Sequence, residues 1–405
     1  MPPAGNRRSG GAALRPQVGL AASASIAIGV LGWRLALAFG ERQAALVVLG
    51  AAFGITLVHS QFGFAAPYRA LATGGARRPV RAHLLLLAAV SLLFAPILAR
   101  GWGFGVRPAP FVFPAGPAVA AGAFLFGVGM PFGSACAAGL LYDVGAGVVA
   151  LLLTLAGFAG GTVLGTWQWA VWTQTLPAPQ PVSLAETGLG YGGALLFQGA
   201  IVAIALVATS IGARGRRSPP GQGPRPAAAF RVIRGPWPLW LGALLLATLE
   251  ALVLLVRGQP WSTVSAFALG GGQWLAALGV PVASWAYWGN RPDALRALLL
   301  ANSVTALDIG VVLGALLASA LASSFSLRRP VTWRTALAAV LGGLLMGYGG
   351  LIADGCTIGG YLGSIASFSL HGWLWAVAAL AGTALGERLV RRLHVAPVHA
   401  EAVDW

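Results

Sequence analysis

Charged side chains are scarce in this chain, and lysine is absent. Only 9% of the 405 residues are charged and 57% are hydrophobic, whereas a soluble domain has about 25% charged and about 45–50% apolar residues. All 26 basic residues are arginine. This composition excludes a soluble globular core for most of the chain and predicts a protein whose main solvent is lipid.

Cysteine is also rare, and enzyme signatures are missing. The chain has two cysteines, too few for a secreted disulfide scaffold. It has no Gly-Lys-Ser/Thr phosphate loop, and its five histidines show no metal-ligand spacing. We therefore predict no enzymatic activity, no cofactor and no metal site.

The net charge is nevertheless +16, because the arginines outnumber 10 acidic residues. They lie between hydrophobic runs rather than beside aromatic residues on one soluble face, which argues against nucleic-acid binding. Cytoplasmic loops of membrane proteins carry such an excess of basic residues. The segments 69–81 and 213–235 are therefore predicted to be cytoplasmic, together with the N-terminus.

What the chain does have is a series of long hydrophobic runs. They lie near residues 18–39, 43–66, 82–99, 116–135, 144–171, 191–213, 237–257, 268–288, 297–323, 335–353 and 371–390. We predict an all-α integral membrane protein with about 9–12 transmembrane helices in contact with the lipid bilayer. The Arg-, Pro- and Gly-rich segment 213–235 is a predicted linker between a first membrane half (1–212) and a second membrane half (236–405).

The two cysteines lie in matching glycine-rich motifs of the form G-x-G-x6-C-x2-G. The shared positions are Gly127, Gly129, Cys136 and Gly139 in the first motif, and Gly347, Gly349, Cys356 and Gly359 in the second. Glycine at this density weakens a helix. At membrane depth, a non-helical backbone is tolerated only where it is buried by other parts of the protein or lines a polar cavity. We therefore predict two pseudo-symmetric halves with broken or re-entrant helices at the cysteine motifs, where transporters often bind substrate.

Thiols are chemically suited to brief contact with a sulfur-containing anion. They are soft and polarizable, and they donate only weak hydrogen bonds. Flanking glycines let backbone N–H groups approach an anion, and helix N-termini favour negative charge. One cysteine alone is more simply explained as a small buried apolar residue. Both cysteines of the chain in matched motifs indicate a substrate site.

Residues 130–139, residues 355–360 and the stretch SLHGWLW at 369–375 resemble the YeeE/YedE family of sulfur-transport permeases. The resemblance extends from about Gly50 to about Gly386. It implies uptake of thiosulfate, or a related small sulfur anion, across the bacterial inner membrane through a relay of thiols at the midplane. Cys136 and Cys356 match two of those thiols, and Gly63 stands where the family commonly has a third. The resemblance also implies a cytoplasmic sulfur-carrier protein as a partner.

Further polar residues are candidates for the substrate path. His59 and Gln61 end the second hydrophobic run and are predicted to line a vestibule, although a position at the membrane interface explains them equally well. Asp354 lies two residues before Cys356 and is a candidate as well. Asp308 and Glu250 lie within predicted spans, where an ionisable group is costly and often functional. Such carboxylates serve proton coupling or gating, or form structural pairs with arginine.

The sequence leaves two other functions open. One is a membrane redox enzyme whose two thiols form a disulfide or carry a sulfane sulfur, which requires their Cα atoms to approach within about 7 Å. The other is a sensor or accessory subunit that binds a sulfur species without moving it. A permease accumulates substrate in vesicles, a redox enzyme oxidises its thiols during turnover, and a sensor shows binding without flux.

Overall fold

The computed structural model of the chain describes residues 17–211, 232–289, 291–327 and 332–395, and most of these residues are helical. No β-strand occurs in these ranges, and they contain eight helical segments long and apolar enough to cross a membrane, with Pro117–Gly145 counted as one segment. The predicted all-α membrane class is therefore confirmed. The α-helices are α1 (Val18–Phe39), α2 (Glu41–Ser60), α3 (Ala66–Thr73), α4 (Arg78–Arg100), α5 (Pro117–Gly133), α6 (Ala137–Gly145), α7 (Leu151–Trp167), α8 (Trp169–Gln174), α9 (Gly190–Ile211), α10 (Leu239–Arg257), α11 (Val264–Ala277), α12 (Ser303–Leu321), α13 (Trp333–Ile352), α14 (Ser364–Ala366) and α15 (Leu370–Arg392).

Some predicted hydrophobic runs are interrupted in the structure. The run near 116–135 becomes α5, which α6 follows after a short break. The run near 144–171 contains α7, an apolar helix of 17 residues, and the run near 268–288 begins within α11, which has 14 residues. The prediction of about 9–12 spans included these shorter helices and stays a prediction. The predicted linker lies outside the described residues apart from 232–235.

Glycine brings the membrane helices into direct backbone contact. A Cβ added at Gly50 or Gly54 of α2 would lie 2.1 Å from a carbonyl oxygen of α12. A Cβ added at Gly157 or Gly161 of α7 would lie 2.2 Å from a carbonyl oxygen of α13. Helices can approach this closely only where a side chain is missing, as in the small-residue interfaces of other membrane proteins. These glycines therefore have a packing role.

The helices that carry the cysteine motifs, α5 and α13, pack against each other in opposite directions. Gly122, near the start of α5, meets Gly349 near the end of α13, whereas Gly129 meets Gly342. The contacts run in opposite order along the two chains, so the helices are antiparallel. The C-terminal ends of α5 and α13 therefore lie at opposite ends of the pair.

Each of these two helices also packs against a helix from the other end of the chain. The contacts between α7 and α13 run in the same order along both helices. The same is true of α5 and α15, where Gly382 contacts Phe124 and Gly386 contacts Val128. Both pairs are therefore parallel. An inverted internal repeat would give this exchange of partners, and the two pseudo-symmetric halves stay a prediction.

The largest buried cluster draws on helices from both ends of the chain. It contains both cysteines together with fully buried Phe126, Trp261 and Trp375. The cysteine motifs therefore lie at the centre of the helix packing.

Candidate functional site

Cys136 lies at the break that follows α5. Ser134 has a left-handed backbone conformation with φ of 61°, which ends α5, and Cys136 becomes the N-cap of α6. Its Sγ accepts a hydrogen bond from the backbone N–H of Gly139 at 3.3 Å, and the residue is 1% exposed. The sulfur therefore lies at the N-terminus of a helix, where partial positive charge favours an anion.

Cys356 occupies the equivalent break at the end of α13. Asp354 and Gly355 both have positive φ, 53° and 152°, and Cys356 is the N-cap of a π-helix that spans Thr357–Gly363. The carbonyl of Gly355 accepts a hydrogen bond of 3.1 Å from the indole N–H of Trp375. This contact holds the break against α15. Single-turn π-helices are often found at functional sites.

Backbone donors surround the second thiol. The backbone N–H groups of Ile358, Gly359 and Thr263 lie near the Cys356 sulfur, without a capping hydrogen bond to it. Cys136 is buried within electrostatic range of Cys356. Both thiols are free, so the described chain contains no disulfide between them. Each sulfur is thus a soft, buried group near backbone donors.

Three hydroxyl groups near the thiols are buried without a hydrogen-bond partner. The Thr357 hydroxyl approaches the Cys136 sulfur and the Thr263 hydroxyl approaches the Cys356 sulfur, each as a weak contact with a thiol, and Tyr68 of α3 lies near Cys136. None of the three hydroxyl oxygens forms a hydrogen bond of good geometry. A buried polar group without a partner costs roughly 1–3 kcal/mol. An oxyanion that reached the thiols would find these hydroxyls available as donors.

An aromatic cluster surrounds Tyr68. The ring centroids of Tyr68 and Tyr361 are 5.8 Å apart, and each lies within 6.2 Å of Trp375. His83 of α4 stacks on Tyr361 at 5.4 Å. All four side chains are buried. The rings of this cluster pack around Tyr68 and shield its side chain from bulk water.

A first cavity, of about 250 Å³, reaches the Cys136 thiol from the end of α5. Its lining includes Gly63, Arg69, Cys136 and Asp143. The guanidinium of Arg69 forms an ion pair of 2.7 Å with Glu387 of α15 and remains 47% exposed. The cavity therefore contains a thiol and an arginine whose charge Glu387 partly neutralises, and it is open to solvent.

A second cavity, also of about 250 Å³, lies at the end of α13. Its lining includes Arg257, Ser262, Arg291, Asp354 and Gly355. Because α5 and α13 are antiparallel, the two cavities lie at opposite ends of the helix pair. Cys136 lines the first cavity, and Gly355, which directly precedes Cys356, lines the second.

The four motif glycines upstream of the cysteines line neither cavity. A Cβ would lie 2.2 Å from a carbonyl oxygen of another helix at Gly127, 2.6 Å at Gly129, 2.0 Å at Gly347 and 2.3 Å at Gly349. Close helix packing accounts for glycine at these positions, and their contact with substrate stays a prediction. The downstream pair is closer to the thiols. Gly139 lines the first cavity, and Gly359 lies near Cys356 while packing against Ser262.

The structure places His59 and Gln61 away from the two cavities. The carbonyl of His59 accepts a hydrogen bond of 2.7 Å from the backbone N–H of Trp237, and the two rings lie 5.0 Å apart. Gln61 is an exposed, left-handed residue that ends α2. Both line a small separate cavity with Arg234 and Gly235. They anchor the chain that follows the predicted linker, whereas Asp354 does line the second cavity, as predicted.

Sequence reasoning missed the hydroxyl and arginine groups of the site. Thr357 directly follows Cys356, and this adjacency was a signal that could have revealed it. Tyr68, Thr263 and Arg291 come from segments far from either cysteine in the sequence. Only the packing of α3, α11 and the loop before α12 brings them to the thiols and the second cavity.

Comparison with known proteins gives a consistent result. The family model described as sulphur transport matches residues 59–385, which is most of the chain. Two relatives are called probable transporter YedE, from Escherichia coli strain K12 and Salmonella typhimurium strain LT2, at 29% and 30% identity over 133 residues. Each match spans 33% of this chain and 33% of the relative. A third relative, thiosulfate transporter TsuA from Spirochaeta thermophila, is 28% identical over 280 residues, 64% of this chain and 74% of TsuA.

Proposed function

Because this chain belongs to the sulphur transport family, we propose that it is a permease for thiosulfate or a related small sulfur anion. The similarity to a protein named thiosulfate transporter supports this substrate class. We propose uptake across the bacterial inner membrane rather than catalysis, with the two membrane halves joined by the cytoplasmic linker 213–235. The observation that carries the proposal is the pair of buried thiols at broken helix ends, surrounded by hydroxyl donors without partners.

The proposed path runs from the second cavity to the first. Arg257 and Arg291 attract the anion, and Cys356 and its backbone donors receive it. The anion then passes the unpaired hydroxyls to Cys136 and leaves through the cavity of Arg69. Thiols bind weakly because S–H is a poor donor. A conducting site needs binding that is weak enough for release.

The arginine distribution supports the proposed direction of transport. The segment 69–81 is predicted to be cytoplasmic, and Arg69 lines the Cys136 cavity. That cavity is therefore the proposed cytoplasmic exit, where a sulfur-carrier protein would receive the anion, and the N-terminus is proposed to be cytoplasmic. A dianion that enters a cell with a negative interior moves against about 2.3 kcal/mol per charge per 100 mV. Uptake against a gradient then needs a driving force.

Gly63 also lines the Cys136 cavity, and it leaves room there. A Cβ at this position would have its nearest neighbours at 3.7 Å and 3.8 Å, which are ordinary contacts. A Cβ is therefore tolerated here, so glycine at this position removes a proposed contact with substrate rather than a packing element. In this chain the proposed relay has two thiols.

The test is radiolabelled thiosulfate uptake by cells that lack their own sulfur importers. We expect uptake by the wild-type chain and a loss of roughly tenfold or more in Cys136→Ala and in Cys356→Ala, because each variant removes a donor to a charged substrate. Thr248→Ala is the control, since this exposed hydroxyl bonds within its own helix. All variants are compared at equal amounts of folded protein in the membrane.

Three results would contradict the proposal. The absence of uptake by well-folded wild-type protein would exclude thiosulfate as substrate. Binding of thiosulfate without flux would identify a sensor or accessory subunit. Oxidation of the two thiols in step with turnover would identify a redox enzyme.

A further inference from the structure

Two buried carboxyl groups lie beside the proposed path and have no role in it so far. Glu250 of α10 is 2% exposed, and Asp308 of α12 is 5% exposed. Neither carboxyl forms an ion pair within the part of the chain that the structure describes. Ionisable groups inside a membrane are costly, and those that face the protein interior often carry protons.

Trp261 connects the two acids. Its indole N–H donates a hydrogen bond of 2.8 Å to Oδ1 of Asp308, and its backbone N–H donates one of 3.4 Å to Oε2 of Glu250. The other oxygen of each carboxyl, Oδ2 of Asp308 and Oε1 of Glu250, is buried without a partner. Each acid therefore has one oxygen that accepts a hydrogen bond from Trp261 and one oxygen without a partner, which can bind a proton.

A third cavity, of about 500 Å³, lies against Asp308. Thr305, one helical turn before Asp308, lines the same cavity, and its hydroxyl oxygen is also buried without a partner. A metal cation needs several oxygen ligands, and the described residues contain no group of three or more His, Cys, Asp or Glu suited to a metal. A proton needs only one free oxygen, so the arrangement fits a proton better.

Charged neighbours of the acid pair are few. Arg257 acts on both carboxyls, and its guanidinium donates hydrogen bonds to the Ser303 hydroxyl at 2.9 Å and to the Pro260 carbonyl at 2.6 Å. The helices packed against α10 and α12 carry further titratable or charged groups, none of which acts on the two carboxyls as Arg257 does within the described residues. They are Arg34 on α1, Glu41, Arg42 and His59 on α2, Arg78, Arg81, His83 and Arg100 on α4, and Tyr142 and Asp143 on α6.

The acid pair is connected to the anion path through the chain that follows Trp261. Ser262 lines the second cavity together with Arg257, and Thr263 lies near the Cys356 sulfur. A proton on either carboxyl changes the strength of its hydrogen bond to Trp261. The next two residues along the chain contact the anion path, so protonation and anion binding act on one short segment.

We propose that Glu250 and Asp308 carry protons that accompany the anion, which makes the chain a proton–anion symporter. This inference rests on the proposed function. Each carboxylate takes one proton from solvent on the outer side and returns it on the cytoplasmic side as the anion leaves. Two protons balance the two negative charges of thiosulfate, so the loaded protein moves no net charge across the membrane.

The test uses the purified full-length chain in proteoliposomes with radiolabelled thiosulfate. Exchange of labelled for unlabelled thiosulfate at equal pH on both sides measures transport alone. Uptake with an acidic outside then measures coupling. With two protons per anion, a gradient of about one pH unit supports roughly hundredfold accumulation, since each tenfold proton ratio contributes the same free energy.

We expect the wild type to accumulate thiosulfate in response to the pH gradient, and a trapped pH dye to report acidification inside. In Glu250→Gln and in Asp308→Asn one coupled proton remains, so accumulation at zero membrane potential should fall from roughly hundredfold to roughly tenfold per pH unit. In the double variant the ratio of uptake with and without the gradient should fall to near one. Glu41→Gln is the matched control, because Glu41 is an exposed acid at the start of α2. It should respond to the gradient as the wild type does.

The outcomes separate this inference from the function on which it rests. If the wild type does not exchange thiosulfate, the proposed function fails. If it exchanges thiosulfate but ignores the pH gradient, or responds to a sodium gradient instead, only proton coupling is overturned. If either acid variant fails to fold, the pH dye in wild-type proteoliposomes provides the test. Entry of thiosulfate without acidification of the interior would overturn proton coupling.

Discussion

Hydroxyl and thiol donors set the chemistry of the candidate site at the scale of single residues. Cys136 accepts a backbone N–H at a helix N-terminus, and Cys356 lies beside three more backbone donors. The nearby hydroxyls of Tyr68, Thr263 and Thr357 are buried and unpaired. A buried hydroxyl without a hydrogen bond lowers the stability of the ligand-free protein. A bound oxyanion that accepts hydrogen bonds from these hydroxyls offsets that free-energy cost. The site is therefore suited to a ligand with several acceptor oxygens.

Thr357→Val tests one of these hydroxyls with little change in shape. A hydrogen bond to a charged group is worth about 1.5–3 kcal/mol, so we expect the half-saturation concentration for thiosulfate to rise roughly tenfold or more. Thr162→Val is the matched control, because its buried hydroxyl bonds to the Ala159 carbonyl of its own helix. Equal uptake kinetics in the two variants would show that Thr357 lies outside the path.

At the scale of helices, each cysteine motif has two parts with different tasks. The upstream glycines allow α5 and α13 to contact other helices through their backbones. Left-handed residues then end each helix, and the cysteine caps the next turn. The packing holds the breaks in place, so the thiols stay at the ends of two rigid helices.

Two neighbouring glycines of α7 provide a test of this packing. A Cβ at Gly161 would lie 2.2 Å from the Leu344 carbonyl oxygen of α13, whereas a Cβ at Gly160 has nothing within 4 Å. We expect Gly161→Ala to lower the free energy of unfolding by about 1–3 kcal/mol through overpacking. Gly160→Ala should be neutral or stabilising by up to about 1 kcal/mol, because alanine favours the helix.

Thermal unfolding in detergent, followed by the loss of soluble monodisperse protein, measures this difference. A similar midpoint temperature for the two variants would contradict the assigned contact between α7 and α13.

At the scale of the whole molecule, the cavities lie at opposite ends of the antiparallel pair α5 and α13, and each has arginine in its lining. Clefts lined by one sign of charge concentrate ions of the opposite sign. The proposed outer cavity holds Arg257 and Arg291, and Asp354 only partly offsets them. The chain can therefore attract an anion before the weak thiol contacts begin.

Arg291→Gln tests this electrostatic attraction. We expect initial thiosulfate uptake to fall roughly threefold at low ionic strength, because electrostatic focusing raises capture rates. The difference should shrink at high salt, where exposed charges are screened beyond about 3 Å. Arg34→Gln, an exposed arginine on α1 outside both cavity linings, is the control. A deficit that does not change with salt would point to a structural role for Arg291.

The sequence by itself determined the class of the protein and the two thiols at its centre. Apolar composition and run length depend on local transfer energies, so they predict membrane helices without knowledge of the fold. The matched motifs around Cys136 and Cys356 could also be found from the sequence, because a repeat is detected by comparing residues along the chain, without knowledge of tertiary contacts.

Only the tertiary structure decided which residues meet. In the structure, the upstream glycines form contacts between helices, and His59 and Gln61 lie apart from the two cavities. Tyr68 and Thr263 lie near the thiols. It also joined two distant acids through Trp261. These are contacts between segments far apart in sequence. They depend on how helices pack and in which direction they run, which local composition does not specify.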